Sequence, residues 1–169
     1  SFSEKTNILI EKGLTGIVGP NGCGKSNIVE ALRWCMGENS AKSMRGTGME
    51  DVIFSGTSNR PSKNISEVAL LLDNREKNGP IQFKEFDEIS IKRKIEKDKG
   101  SKYYINDKEV RARDVQTFFA DLSTGAHSPS LISQGRIGQL VTAKPIERKT
   151  VLEEAAGISG IHARRQEAE

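Results

Sequence analysis

The sequence has little of what secreted and membrane proteins need. It contains two cysteines, so it cannot carry a framework of several disulfides. It has no apolar run near the roughly 18 residues that a membrane-spanning helix requires. It also has no basic-then-apolar leader of the secretory type. We therefore expect a cytosolic chain with reduced thiols and no membrane partner.

Histidine is almost as scarce, with His127 and His162 the two in the chain. Neither cysteine, Cys23 nor Cys35, has a nearby histidine or a second cysteine at metal-ligand spacing. These absences argue against a histidine-based metal site, a catalytic triad and a cysteine nucleophile.

The charge balance is nearly even, with 29% charged residues and a net charge of +3. This balance permits a nucleic-acid partner without requiring one, and a basic patch would have to be local. The length of 169 residues suits one domain. The chain begins without Met, and its last eight residues (HARRQEAE) have the pattern of an opening polar helix, which indicates a fragment.

Two short β-rich runs stand near the N-terminus. Residues 7–11 (NILIE) and 14–18 (LTGIV) are separated by Lys12 and Gly13, a pattern that predicts two strands with a tight connection. A helix is expected from Ser26, with Gly37 at its end. Its apolar positions recur at helical spacing, at Ile28, Leu32, Cys35 and Met36.

The middle of the chain predicts long ordered loops and then an antiparallel meander. Residues 39–64 are rich in Gly, Ser and Asn around the apolar island 52–54, which favours loops with a short strand or turn. Strands are expected at 67–73, 88–95 and 103–105, the last two as antiparallel neighbours with turns at Lys99-Gly100 and Asn106-Asp107.

Helices are predicted at 110–122 and from Pro145 onward, because apolar residues recur there at helical spacing. Pro145 suits a first-turn position, and Gly157 and Gly160 interrupt the second helix. The pattern as a whole predicts an α/β fold with a lobe of antiparallel strands and C-terminal helices.

The segment between the second predicted strand and the first predicted helix matches the phosphate-binding P-loop pattern G-x-x-x-x-G-K-[ST] at every fixed position. Its glycines let backbone N–H groups turn inward around phosphate oxygens, and the helix adds its positive end. Lys25 supplies an ammonium for the β and γ phosphates of ATP, and the Ser26 hydroxyl is suited to ligate the bridging Mg²⁺. The predicted nucleotide-binding residues are Gly19, Pro20, Asn21, Gly22, Cys23, Gly24, Lys25, Ser26 and Asn27.

Hydrolysis also needs a metal-holding carboxylate, and the sequence offers only weak candidates for the missing parts. Asp73 ends an apolar run in the manner of a Walker B strand, but Asp73-Asn74 is also good turn chemistry and no acidic residue follows. Residues 122–125 (LSTG) approach the L-S-G-G signature of transporter-type ATPases but lack its tandem glycine.

The ordered set of motifs resembles the N-terminal head segment of bacterial SMC proteins, the chromosome-condensing ATPases. The P-loop (GPNGCGKSN) is followed by residues 40–46 (SAKSMRG), similar to the family's arginine loop, and 49–56 (MEDVIFSG). Residues 132–136 (ISQGR) resemble the Q-loop, and 153–158 (EEAAGI) the entry to the coiled coil. The resemblance covers essentially the entire chain and implies the N-terminal half of a P-loop NTPase head of ABC type.

The resemblance implies roles for further residues. Gln134 would contact Mg²⁺ and the water network, and Arg45 would stabilise phosphate charge when two heads engage. Arg60, Lys63 and Lys102 are candidates for sequence-independent DNA backbone contacts. On this basis residues 1–161 are the N-terminal part of the head, and 162–169 are the start of the coiled coil.

In SMC proteins the signature motif, the Walker B aspartate and the catalytic glutamate lie in a C-terminal segment beyond the coiled coil. The implied partners are therefore that segment, a second head in a homodimer, DNA and kleisin-type regulatory subunits, in the cytoplasm at the nucleoid. The implied function is ATP-dependent head engagement and hydrolysis that drive chromosome condensation and partitioning. The fragment alone is expected to be inactive as an ATPase.

Three alternatives stay open from the sequence. One is a head of the related RecN or Rad50-like DNA-repair ATPases, which share the chemistry. Another is a self-contained P-loop kinase or NTPase that uses Asp73 as its metal ligand. The third is a non-catalytic assembly module that binds a partner protein through the strand lobe.

Overall fold

The structure, a computed structural model, describes residues 2–40, 48–122, 131–132 and 136–156. The helices are α1 (Lys25–Cys35), α2 (Ala112–Asp121), α3 (Arg136–Thr142) and α4 (Pro145–Ala155), and the strands are β1 (Ile65–Asp73), β2 (Glu88–Glu96), β3 (Gly100–Ile105) and β4 (Lys108–Val110). Short 3-10 turns cover Met49–Val52 and Ile81–Phe83.

The four strands form one antiparallel meander in the order β1-β2-β3-β4. The three predicted strands are confirmed, and β4 is an addition that takes the first residue of the predicted helix at 110–122. The β3–β4 connection turns at Asn106 and Asp107, with φ angles of 46° and 62°. Both are left-handed, as the tightest hairpin turns require, and Asn and Asp tolerate that region.

The alternation of buried and half-buried residues along β2 shows which face of the sheet packs on the core. Ile89, Ile91 and Ile95 are buried, and Arg93 occupies the remaining inward position. The residues between them, including Lys92 and Lys94, lie on the other face and are only half-buried. This two-residue period is the one expected of a strand with one face on the core.

Helix α2 packs on the inward face through aromatic side chains. Val115, Phe118 and Phe119 are buried, and the Phe118 ring meets Phe83 and Phe119 edge-on at centroid distances of 5.4 and 5.3 Å. Aromatic pairs prefer this edge-to-face geometry because the positive ring edge meets the negative ring face. The predicted helix at 110–122 is therefore confirmed, with its first turn beginning at Ala112.

Helix α1 reaches the core only through its last turn, where Trp34 and Cys35 are buried. It ends as predicted at Gly37, whose φ of 102° is left-handed. A Cβ at Gly37 would lie 2.6 Å from the Gln116 Cγ, and the Gln116 side-chain amide donates to the Gly37 carbonyl at 2.8 Å. This close approach links the end of α1 to α2.

The two strands predicted at 7–11 and 14–18 are wrong for this structure, because neither segment is a strand. A strand needs a neighbour to take its backbone hydrogen bonds, and the part of the chain that the structure describes pairs no strand with either segment. Their apolar side chains face solvent, with Leu14 fully exposed. Polar contacts tie this part of the chain down between the two segments, where Lys12 pairs with Glu76, and before them, where the Ser3 hydroxyl accepts a hydrogen bond from Arg60.

The remaining expectations have mixed outcomes. Of the short strand or turn predicted within the loops at 39–64, the described part contains the turn, the 3-10 turn at Met49–Val52, and Ile53 after it is buried beside Trp34 and Ile95. Helix α4 begins at Pro145 as predicted, whereas α3 was not predicted. The proposed start of a coiled coil at 162–169 lies outside the described residues. Among the described residues, no helix combines the length and apolar character needed to cross a membrane.

Candidate functional site

The glycine loop turns directly into α1. Gly22 and Gly24 have φ angles of 81° and 89°, a left-handed conformation that glycine adopts without strain, and Gly24 is the N-cap of the helix. At Gly19 a Cβ would lie 2.9 Å from the Cys23 Sγ. The loop backbone therefore favours glycine for its conformation at two positions, and a side chain at the third would have to displace the Cys23 Sγ.

The start of α1 is open to an anion. No side chain caps it, and its first turn contains no acidic residue. The Asn27 N–H donates to the Gly24 carbonyl at 3.0 Å. The other N–H groups at the start of a helix have no acceptor within the helix and need one from outside it. Free N–H groups and the positive end of the helix dipole coincide here, which is the usual physical basis of phosphate binding.

Lys25 folds back over the loop. Its Nζ donates to the carbonyl oxygens of Gly19 and Pro20 at 2.7 and 2.6 Å and lies 3.9 Å from the Cys23 Sγ. Ser26, the next residue, is half-buried at the same helix end. An ammonium held by neutral carbonyls and a thiol can exchange them for phosphate oxygens, which bind it more strongly because they carry charge.

Comparison with protein families shows where such a loop occurs. The model of the family described as "RecF/RecN/SMC N terminal domain" matches residues 1–135, which include the glycine loop, the sheet and α2. The chain belongs to this family.

Full-length relatives place the chain within SMC proteins. It is 59% identical over 169 residues to the Chromosome partition protein Smc of Cereibacter sphaeroides, and 57% identical over 169 residues to that of Rhodopseudomonas palustris. The alignments cover 100% of this chain and 15% of each relative. The chain thus corresponds to the N-terminal head segment and spans about one seventh of the length of these relatives.

Solved structures agree with this assignment. An Smc head domain with coiled coil and joint from Pyrococcus yayanosii superposes with a TM-score of 0.74 at 34% identity, over 95% of this chain and 31% of that one. A structure described as concerning ATP-driven dimerization and DNA-stimulated activation of SMC ATPases gives 0.73 at 31% identity, over 88% and 87%. An SmcHead bound to the C-winged helix domain of ScpA gives 0.74 at 30% identity, over 83% and 42%. The predicted fold class, an ABC-type ATPase head with an antiparallel lobe, is confirmed.

The structure brings some predicted SMC site residues together and does not describe others. The nine nucleotide-binding candidates from Gly19 to Asn27 all lie at the start of α1. Arg45, Gln134 and the signature-like residues 123–125 lie outside the described residues, so their roles stay predictions. Within the described ranges, no cluster of three or more His, Cys, Asp or Glu side chains is arranged to hold a metal.

Asp73 behaves as a turn residue of the SMC lobe. Its carboxylate accepts hydrogen bonds from the Arg75 backbone N–H at 3.0 Å and from the Arg75 guanidinium at 2.9 and 2.5 Å. The Arg75 side-chain hydrogen bond is the main reason that the pKa of Asp73 is held well below its usual range. An acceptor already occupied by a guanidinium favours the turn interpretation over a metal ligand.

Two of the three candidate DNA-contacting residues have acidic partners at the surface. Arg60 donates to the Ser3 hydroxyl at 2.5 Å and pairs with Glu4 at 3.7 Å, and Lys102 pairs with Glu109 at 3.0 Å. Lys63 is exposed. Because acidic partners neutralise two of the three, these residues do not form a concentrated basic patch, and DNA contact at them stays a prediction.

Sequence reasoning missed Arg93, which the structure buries beneath the end of α1. The signal was present as a charged residue in the inward series Ile89, Ile91, Arg93 and Ile95. Burial lowers the pKa of Arg93. Such a cation is retained in a core only when hydrogen bonds and ring faces replace its water.

Proposed function

We propose that this chain is the nucleotide-binding N-terminal part of an SMC ATPase head, and that residues 19–27 bind ATP with Mg²⁺. The observation that carries the proposal is the uncapped start of α1 beneath a left-handed glycine loop. Backbone N–H groups would hold the phosphates, and Lys25 would leave its two carbonyls for the β and γ oxygens. The Ser26 hydroxyl would ligate the Mg²⁺, which neutralises phosphate charge.

The resemblance to SMC proteins completes the proposed chemistry. Gln134 would orient the attacking water near the metal, and Arg45 would stabilise the charge that develops on the transferred phosphate. The Walker B and signature residues would come from other segments, so this chain alone would not hydrolyse ATP. Full-length protein would couple ATP-dependent head engagement and hydrolysis to chromosome condensation and partitioning.

The exposed apolar residues before the P-loop indicate that another segment packs over them in the full-length protein. In residues 7–18 the large apolar side chains that face solvent are Ile8, Leu9, Ile10, Leu14, Ile17 and Val18. Because neighbours along the chain point to opposite faces of an extended backbone, Ile8, Leu9 and Ile10 suit strands covered on both faces. We infer that the C-terminal head segment covers them and supplies the missing strand neighbours.

The wider assembly follows from the same assignment. A second copy of the head would face the nucleotide, a kleisin-type subunit would bind the head as ScpA does in one similar structure, and DNA would bind without sequence preference. Residues 1–161 would form the head segment and 162–169 the start of the coiled coil. The site of action would be the cytoplasm at the nucleoid.

The nucleotide proposal is tested by thiol protection. Cys23 is exposed within the loop, whereas Cys35 is buried and burial raises its pKa to about 12. In full-length protein at pH 8, a maleimide should label Cys23 and not Cys35, since only the thiolate of an accessible thiol reacts quickly. Saturating Mg·ATP should slow Cys23 labelling at least about tenfold, as read by peptide mass spectrometry.

Two controls sharpen this test. Mg·ATP should leave Cys23 labelling unchanged after Lys25→Met, and inorganic sulfate at equal ionic strength should protect far less than ATP. Equal Cys23 labelling rates with and without Mg·ATP in the unmodified protein would contradict nucleotide binding at this loop.

The metal assignment predicts opposite results at two positions. Asp73→Asn should leave the Mg²⁺-dependent ATP turnover of the full-length protein within about twofold of the unmodified value, because Asp73 is paired with Arg75 at an exposed turn. Ser26→Ala should lower the turnover strongly, because it removes the proposed metal ligand. If Asp73→Asn abolished turnover instead, a self-contained NTPase with Asp73 as metal ligand would be favoured.

A further inference from the structure

Arg93 on β2 occupies an unusual place in the core. Its side chain is buried, with the residue 2% exposed, and the guanidinium lies over the rings of both Trp34 and Tyr103, at 4.5 Å from each centroid. Cation–π contacts are strongest where water is excluded, as it is around this side chain. Trp34 belongs to the last turn of α1 and Tyr103 to β3, so the stack joins the helix to the sheet.

The hydrogen bonds of Arg93 act on the end of α1. Its Nη1 donates to the carbonyl oxygens of Trp34 at 2.7 Å and Glu38 at 2.6 Å. Its Nε donates to the Ser101 hydroxyl at 2.8 Å. The Trp34 carbonyl also accepts the Gly37 N–H at 3.2 Å, and the end of a helix carries the negative end of its dipole. Arg93 therefore adds a second hydrogen bond and a favourable charge interaction at this end, and ties it to the chain just after the helix at Glu38.

Because α1 is buried only at its C-terminal end, the contacts of Arg93 there also matter for the glycine loop at the N-terminal end of the helix. The buried residues of the helix are Trp34 and Cys35, both in its last turn, while its first residues are half-buried and the loop ahead of it is exposed. The helix has 11 residues and is therefore about 16 Å long, nearly rigid at that length. A shift of its C-terminal end is carried to Lys25 and Ser26.

We propose that Arg93 is a positioning residue for the nucleotide site, acting through α1: it holds the C-terminal end of the helix on β2 and thereby sets where Lys25 and Ser26 lie. This inference rests on the proposed nucleotide-binding function. Arg93 itself does not contact the nucleotide loop, so its effect should appear as a change in nucleotide affinity.

The test compares three variants of the full-length protein by Mg·ATP titration calorimetry, well below their melting temperatures. Arg93→Met removes the charge and every donor while keeping similar bulk, and should raise the Kd about tenfold. Arg93→Lys keeps the charge and can reach one carbonyl, and should raise it about threefold. The control Ile105→Ala truncates a residue of the same core, which lines a pocket with Phe83 and Val110 and whose side chain makes no hydrogen bond to α1, and should stay within twofold of the unmodified protein.

The outcomes separate positioning from simple stabilisation. Equal weakening by Arg93→Met and Ile105→Ala, or no weakening by Arg93→Met, would overturn the inference. Partial rescue by Lys would support it, because a charge placed near the same carbonyls restores part of the anchor.

A second measurement keeps the inference independent of the proposed function. Hydrogen exchange without nucleotide should show faster exchange across residues 25–36 in Arg93→Met and unchanged exchange there in Ile105→Ala. If the unmodified protein bound no Mg·ATP, the proposed function would fail. The hydrogen-exchange result would still decide whether Arg93 positions α1. Unchanged exchange at the start of α1 in Arg93→Met would reject the inference.

Discussion

Lys25→Met in the full-length protein is expected to lower ATP turnover at least about 100-fold, the usual scale for losing one preorganised donor to a developing charge. The Lys25 ammonium lies over the loop with two carbonyls as its partners, and no other cationic side chain lies in residues 19–27. Steady-state phosphate release measures the effect, and calorimetry with Mg·ATP separates lost binding from lost turnover.

Lys12→Met is the matched control, because it makes the same chemical change at an exposed lysine paired with Glu76. It should leave turnover within about twofold. Similar melting temperatures for both variants would show that folding is intact. Retention of more than a tenth of the turnover in Lys25→Met would contradict the role given to this lysine.

Phe118→Ala is expected to cost about 3–5 kcal/mol of unfolding free energy, the range for removing a buried aromatic ring. Phe118 is almost fully buried, and its ring loses edge-on contacts to both Phe83 and Phe119. Urea unfolding of the 169-residue chain, followed through the fluorescence of its single tryptophan, Trp34, measures the change.

Phe86→Ala makes the same substitution at a ring that is 48% exposed and should cost less than about 1 kcal/mol. The Phe86 carbonyl that accepts the Asn74 side-chain amide is backbone and survives the change. A cost at Phe118 no larger than that at Phe86 would mean that α2 does not pack on the sheet as described.

Local patterns sufficed for the elements whose partners are close in sequence. The meander of β1, β2 and β3 joins neighbours along the chain, and its turns at Gly100 and at Asn106-Asp107 carry their own chemistry. The turn of the glycine loop into α1 was equally readable, because Gly19, Gly22, Gly24 and Lys25 lie within seven residues. In both cases the interactions that decide the structure lie within a short stretch.

The failures at 7–11 and 14–18 have one physical cause. Residues with high β-propensity favour strands because their side chains pack well against neighbouring strands. These segments have such residues but no neighbouring strand in the described part of the chain, so they do not form strands. Arg93 was missed for the opposite reason, because its partners at the end of α1 and just after it lie more than 50 residues away in the sequence and no local pattern connects them.

The exposed apolar stretch before the P-loop also has a consequence for biosynthesis. If its cover is the C-terminal head segment, as proposed, that segment lies roughly 1,000 residues further along a chain of the length of these relatives. At about 5–20 residues per second, a ribosome needs about one to three minutes to make it. During that time Ile8, Leu9, Ile10 and Leu14 stay exposed to solvent on a nascent chain. A chaperone that binds short apolar segments should therefore occupy residues 7–18 until translation ends.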